Sequence, residues 1–306
     1  MRDISTPMEK SFSQRIPLSN ANTLVSRALA ILARKLSLGK LLETIFLVAL
    51  SLIFIFPFFW MFTTSFKTLP ETMLFPPTLL PQQWMSQNYM EAWRSGPFPT
   101  YLFNSIYIAV AILILQFAVI IPAAYAFAKK SFKGSKLLFG MILLGLMIPT
   151  QVTFLPIYLL FSKVGLINTP AALILPFASS SFGIFLLTQN FKQIPDEIIE
   201  AAKLDKASEF KIIFRIMLPM AKPAILTFAL FSFIAHWNDY FWVLTMTNSD
   251  AIRTLPVGIV NLKDTESIKS WHVIMAGNMI LVAPILFIYS LANKYIKSAF
   301  TYSGIK

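Results

Sequence analysis

The 306-residue chain is 56% hydrophobic and only 13% charged, with a mean hydropathy of +0.67, which excludes a soluble globular domain and makes lipid its main solvent. Its net charge of +12 falls almost wholly on one side of the membrane, so it reports topology and contact with anionic lipid rather than a nucleic-acid groove. The absence of cysteine excludes disulfides, thiolate metal sites and lipid attachment at an N-terminal cysteine.

In chain order, residues 1–18 are polar and carry Pro7 and Pro17. From Leu18 onward, Val25, Leu29, Leu32 and Leu36 recur at helical spacing among Arg27, Arg34 and Lys35. That pattern reads equally as a basic amphipathic helix on the inner leaflet or as a leader with no role of its own. Residues 1–40 are set apart as a cytoplasmic N-terminal extension. Six apolar stretches follow, at about 41–66, 101–128, 137–161, 170–191, 223–247 and 272–296. Each exceeds the ~20 residues a helix needs to cross the hydrocarbon core. Lipid offers the backbone no hydrogen-bond partner, so each is expected as a helix. The predicted fold class is all-α: a polytopic membrane protein with six transmembrane helices over residues 41–301. No small-residue cleavage site follows the first stretch, which marks a retained span and not a signal peptide.

The outer loop at 67–100 is dense in proline (Pro76, Pro77, Pro81, Pro97, Pro99) and carries Trp84, Tyr89 and Trp93 for the interface. A second outer loop covers 248–271, and the two offer docking surfaces to anything arriving from outside. Pro57, Pro122, Pro149, Pro156, Pro176 and Pro284 lie within spans, where a bundle tolerates them and they kink helices. Ser179, Ser180, Ser181 and Gly183 read as a close-packing face. With the N-terminus inside, twenty Lys and Arg fall on the cytoplasmic side and six outside, a positive-inside pattern that puts both termini in the cytoplasm.

Residues 192–222 form a charged insert between two hydrophobic spans, more than a membrane crossing requires. Pro195-Asp196-Glu197 starts a helix with proline in its first turn and acids at the positive end of the dipole. Ile198, Ile199, Ala201, Ala202 and Leu204 give it an apolar side, and small Ala201 and Ala202 beside Glu200 admit close approach. A second helix begins near Ser208 and ends at Pro219. Its Phe210, Ile213, Phe214, Met217 and Leu218 fall on one amphipathic stripe. On pattern alone this segment serves as an interfacial helix, a calmodulin-like target or a partner's docking element.

Glu200-Ala201-Ala202, Asp205, Ala207-Ser208, Ile216, Leu218-Pro219 and Lys222-Pro223 resemble the EAA coupling loop of importer-type ABC permeases. Phe66-Lys67, Asn88-Tyr89, Asn104-Ser105, the run Ala124 to Ala128, Ile148-Pro149, the run Phe182 to Phe185, Trp237 to Tyr240 and Thr254 to Gly258 extend the likeness to maltose-type carbohydrate permease subunits. It covers about residues 41–301. The family's usual glycine is replaced by Lys206, which demands either a bend with negative φ or a left-handed residue costing roughly 1 kcal/mol or more. Its usual proline is replaced by Val243, which predicts a straighter local helix. The resemblance implies an alternating-access importer of sugars or oligosaccharides, with glycerol phosphate-type substrates as the runner-up. It also implies a second permease subunit, a nucleotide-binding ATPase dimer and an extracytoplasmic solute-binding protein as partners. Coupling would fall to Glu200, Ala201, Ala202, Asp205, Lys206, Leu218 and Pro219, and the main sugar site to the partner permease.

Candidates for the substrate path are the polar residues of the spans: Gln116, Gln151, Trp237, Asn238 and Asp239. Asp239, the one formal charge well inside a span, counts as sixteen residues up the fifth helix from Pro223, or ~24 Å. Each has a bland alternative as an interhelical hydrogen-bonding group. No G-x-x-x-x-G-K-[ST] occurs, so ATP and Mg²⁺ belong to a separate subunit and this chain binds no cofactor. No G-x-S-x-G or H-E-x-x-H motif points to an enzyme or a metal site. A self-contained secondary transporter is the competing class, and a lone intramembrane acid beside His236 makes a poor ion relay.

Overall fold

The computed structural model describes residues 38–262 and 270–301. The basic stretch before residue 38, Lys263 and Lys269 of the predicted second outer loop, and residues 302–306 lie outside the described residues. The chain divides into two units, Met1–Trp60 and Met61–Lys306. The described part of the first belongs to α1 (Leu38–Ser65), whose side chains from Leu41 to Phe58 are exposed, as lipid allows. Its Thr44 and Ser51 hydroxyls donate back to the Lys40 and Leu47 carbonyls at 2.8 and 2.7 Å, so neither faces lipid unsatisfied.

The second unit carries α2 (Leu69–Thr72), α3 (Gln87–Arg94), α4 (Phe98–Lys129), α5 (Ser135–Gly145), α6 (Thr150–Lys163), α7 (Pro170–Ile174) and α8 (Ser181–Lys192). After these come α9 (Asp196–Leu204), α10 (Glu209–Met220), α11 (Lys222–Trp237), α12 (Phe241–Met246), α13 (Leu255–Asn261) and α14 (Trp271–Thr301). Among the described residues all regular structure is helical. Gly39–Ser65, Phe98–Lys129, Pro170–Lys192 and Trp271–Ser290 are each long and apolar enough to cross a membrane, and two bent helix pairs raise the candidates to as many as six.

Three predicted spans differ from continuous helices. The third, 137–161, bends by 96° between α5 and α6. Pro149 can donate no N–H there and restricts Ile148 before it, so the ladder stops and restarts. In the fourth, Pro176 sits in a 3₁₀ turn, Leu175–Phe177, and Ser180 starts α8 by accepting from Gly183 N–H at 3.2 Å. The fifth ends at Trp237 and resumes at Phe241. Asp239 therefore lies in a break, not within the helix, and its Oδ1 accepts from Trp242 N–H at 3.0 Å. Val243 is buried within α12, which runs unbroken from Phe241 to Met246; the interruption lies before it, at 238–240.

Apolar burial drives little helix association in lipid, so close backbone approach and interhelical hydrogen bonds carry more of the load. α4 runs through three buried clusters: Ile120, Ala124 and Phe191 at one end, Ile112 with Trp242 in a second, and Tyr101 with Trp237 in a third. Gly183 of α8 packs so closely that a Cβ would lie 2.5 Å from Ile120 Cδ1 and 2.7 Å from the Phe228 ring. Trp237 Nε1 donates to the Leu281 carbonyl and Trp242 Nε1 to the Ala172 carbonyl, each at 3.0 Å. The paired motifs at 88–89 and 104–105 are joints. Asn88 Nδ2 donates to the Ser65 and Lys67 carbonyls at 2.9 and 2.8 Å. Asn104 Nδ2 reaches the Ala251 and Arg253 carbonyls at 2.9 Å each, and Ser105 Oγ accepts from Leu255 N–H at 2.9 Å.

Candidate functional site

The loop between α8 and α11 is built from two short helices with distinct inward and outward faces. α9 follows Pro195, which occupies the position before its first turn, and Asp196 and Glu197 fill that turn. Ile199 is buried and Ala202 half-buried against the bundle, whereas Glu200, Ala201 and Leu204 face outward, Leu204 with 84% of its surface exposed. The helix ends in a Schellman motif. Ala207 N–H donates to the Ala202 carbonyl at 3.0 Å, and Lys206 N–H to the Lys203 carbonyl at 2.9 Å. This geometry requires a left-handed residue, and Lys206 supplies it at φ +56°. Of the two conformations open to that lysine, the chain adopts the strained one.

Ser208 caps α10 by accepting from Lys211 N–H at 3.3 Å. The predicted single stripe does not form. A π-helical turn over Ile213–Met217 shifts the register, so Ile212, Ile213 and Met217 turn inward while Phe210 and Phe214 stay outside. Those two rings stack at 4.8 Å, and Phe210 is 73% exposed. Leu218 is half-buried against the core, and Pro219 lies exposed in the final turn before an 81° bend into α11.

This loop is tied to α4 by an ionic clasp. Tyr125 Oη donates to Glu209 Oε2 at 2.6 Å, Lys130 Nζ donates to Glu209 Oε1, and Lys129 Nζ donates to Asp196 Oδ1 at 2.6 Å. The Lys130 hydrogen bond, then that of Tyr125, holds the Glu209 carboxyl below its ordinary range. Glu209 and Lys130 escaped the sequence reading as site residues. They lie 79 positions apart, beyond any local periodicity; the one hint was an acid in the first turn of α10.

The path candidates are not gathered in one place. Gln116 is buried, accepts from Ser232 Oγ, and has its Nε2 3.4 Å from His236 Nε2. These three residues line a cavity of about 390 Å³ with Ser180, Phe182 and Phe231. Gln151 is exposed on α6, beside the bend. Trp237 is buried and stacked on Phe233, and Asn238 Nδ2 donates to its own helix at the Ile234 carbonyl, at 3.0 Å. Asp239 caps α12. Ser232, His236 and Phe182 were missed as a group because they meet Gln116 only across helices.

Residues 118–302 match the family described as binding-protein-dependent transport system inner membrane component. This chain belongs to that family. It is thus a multi-pass membrane permease component. It is 32% identical to the inner membrane ABC transporter permease protein YcjP of Escherichia coli (strain K12), over 83% of this chain and 92% of that protein. It is 33% identical to the trehalose/maltose transport system permease protein MalG of Thermococcus litoralis, over 88% and 98%. A crystal structure of a bacterial ABC transporter that imports the acidic polysaccharide alginate contains a chain of the same fold. Its TM-score is 0.76 at 22% identity, covering 85% of this permease and 96% of that chain.

Proposed function

We propose that this permease subunit forms part of the membrane path of an ATP-driven, binding-protein-dependent importer of sugars or oligosaccharides. In this reading the chain has a cytoplasmic extension at 1–40 and a transmembrane domain at 41–301 that crosses six times, with both termini inside. A second permease completes the path, a nucleotide-binding ATPase dimer holds ATP and Mg²⁺, and a solute-binding protein delivers substrate to the outer loops. The sugar relatives and the distribution of basic residues support it.

The observation that carries the proposal is the coupling loop. Its outward face presents Glu200, Leu204, Phe210 and Phe214, an exposed apolar patch with one acid, on a protein otherwise built for lipid. Its inward face engages the bundle through Ile199, Ile212 and Met217, and the Tyr125–Glu209–Lys130 clasp joins it to α4. A partner that pushes on the outer face moves the spans with it, the mechanical requirement of alternating access. Lys206, with Asp205 before it, sets the angle between the two helices.

Affinity purification in mild detergent with mass spectrometry tests the assembly. A second permease and a P-loop ATPase should co-purify, and recovery of the chain alone together with uptake in cells lacking every candidate ATPase would refute it. Glu200→Lys should abolish uptake while leaving membrane insertion intact. Normal uptake by that variant would sink the coupling role.

A further inference from the structure

The cavity between α4, α8 and α11 has a composition that ordinary helix packing does not call for. Its floor is an amide, a hydroxyl and an imidazole: Gln116 Oε1 accepts from Ser232 Oγ, and Gln116 Nε2 approaches His236 Nε2 to 3.4 Å. An amide offers two donors and two acceptor positions, so these contacts leave part of the Gln116 side chain's capacity open toward the cavity. Its mouth is aromatic, with Phe182 42% and Phe231 50% exposed. The volume of about 390 Å³ falls within the ~300–1,000 Å³ of small-molecule sites. Gln116 is the nineteenth residue of the 32-residue α4, near the middle of that helix.

Among the described residues no Lys, Arg, Asp or Glu lines the cavity. A phosphate or carboxylate, which only accepts hydrogen bonds, calls for a cation. Gln, Ser and His each offer a donor and an acceptor, as a sugar hydroxyl does. The apolar C–H face of a sugar ring suits the flat face of phenylalanine. We infer that this cavity is a sugar-contact site on the permease itself, taking one glycosyl unit of a neutral oligosaccharide. Gln116, Ser232 and His236 meet its hydroxyls, and Phe182 and Phe231 face its ring. The assignment rests on the proposed importer reading and adds a site to the one implied for the partner permease.

Because the chain has no cysteine, Ala235→Cys gives it a single thiol, on the cavity wall. The complete transporter with its binding protein is reconstituted in liposomes, and alkylation of that thiol is read by mass spectrometry of its peptide. The probes are maltotriose, arabinotriose and sn-glycerol 3-phosphate, and accumulation of each is measured in the same liposomes. The expected result is that an accumulated neutral sugar slows alkylation at least about five-fold while sn-glycerol 3-phosphate does not. Adding Gln116→Leu should raise the half-protecting concentration by about ten-fold, as loss of a hydroxyl partner implies. Unchanged alkylation with a sugar that is accumulated overturns the site and leaves the importer reading standing. Protection whose concentration dependence ignores Gln116→Leu reflects a distant conformational effect and overturns it as well. Accumulation of sn-glycerol 3-phosphate and of neither sugar overturns the underlying reading.

Discussion

Replacing Lys206 with glycine should strengthen the α9–α10 loop. Lys206 holds φ +56° because the Schellman closure of α9 places a left-handed residue at that position. For a residue with a Cβ that conformation costs about 1–2 kcal/mol, whereas glycine adopts it freely. Against the gain stands the greater backbone freedom that glycine loses on folding, about 0.5–1 kcal/mol. The net expectation is a stabilisation of about 0.5–1 kcal/mol, or roughly two- to five-fold in the local opening equilibrium. Hydrogen exchange on the purified permease reads this directly, because the Lys206 and Ala207 amides donate the two closing bonds at 2.9 and 3.0 Å. Exchange of the peptide spanning 200–210 should slow by that factor in Lys206→Gly. In Lys206→Ala, which keeps the Cβ and so the strain, it should not slow. Equal or faster exchange in the glycine variant would refute the strain account. Loss of uptake alongside slower exchange would mean that the ammonium group itself makes a needed contact.

Tyr125→Phe removes one of the two groups holding Glu209, which is half-exposed, so the loss should be only about 0.5–1 kcal/mol. It should appear as faster exchange in α10 and weaker stimulation of ATP hydrolysis by loaded binding protein. The Glu209 carboxyl is held below its ordinary range, so its contribution is complete above the unfolded value and disappears as pH falls through the lower folded value. The gap in thermal stability between the native chain and Glu209→Gln should accordingly be constant near neutrality and close only in acid. A gap that widens in acid would reverse the sign of that argument. Gly183→Ala forces a Cβ to within 2.5 Å of Ile120 and 2.7 Å of Phe228, and overpacking of this kind costs about 1–3 kcal/mol. The midpoint of thermal unfolding in detergent should drop, and an unchanged midpoint would show that the Ile120 and Phe228 side chains make room without cost.

Composition and local pattern went far with this protein. The apolar runs and their helical form follow from transfer energy and backbone satisfaction, which each segment settles for itself. The two short helices of the α8–α11 loop were legible for the same reason: Glu197 in the first turn of α9 and the Ser208 cap of α10 act within one helical turn of where they stand. What the sequence left open was every choice decided by a neighbour distant along the chain. The amphipathic stripe of α10 was real as a pattern, yet packing of Ile212 and Met217 against the bundle imposed the π turn that split it and left Phe210 outside. Asp239 read as lying within a helix because a hydrophobic run conceals a break, whose capping bond to Trp242 no hydropathy value reports. Lys130 and Glu209, and likewise Gln116, Ser232 and His236, acquire their meaning from tertiary contacts between helices far apart in sequence. Segment chemistry determined which parts of the chain enter lipid; the close fit of one helix against another decided which polar groups meet and which apolar side chains remain outside.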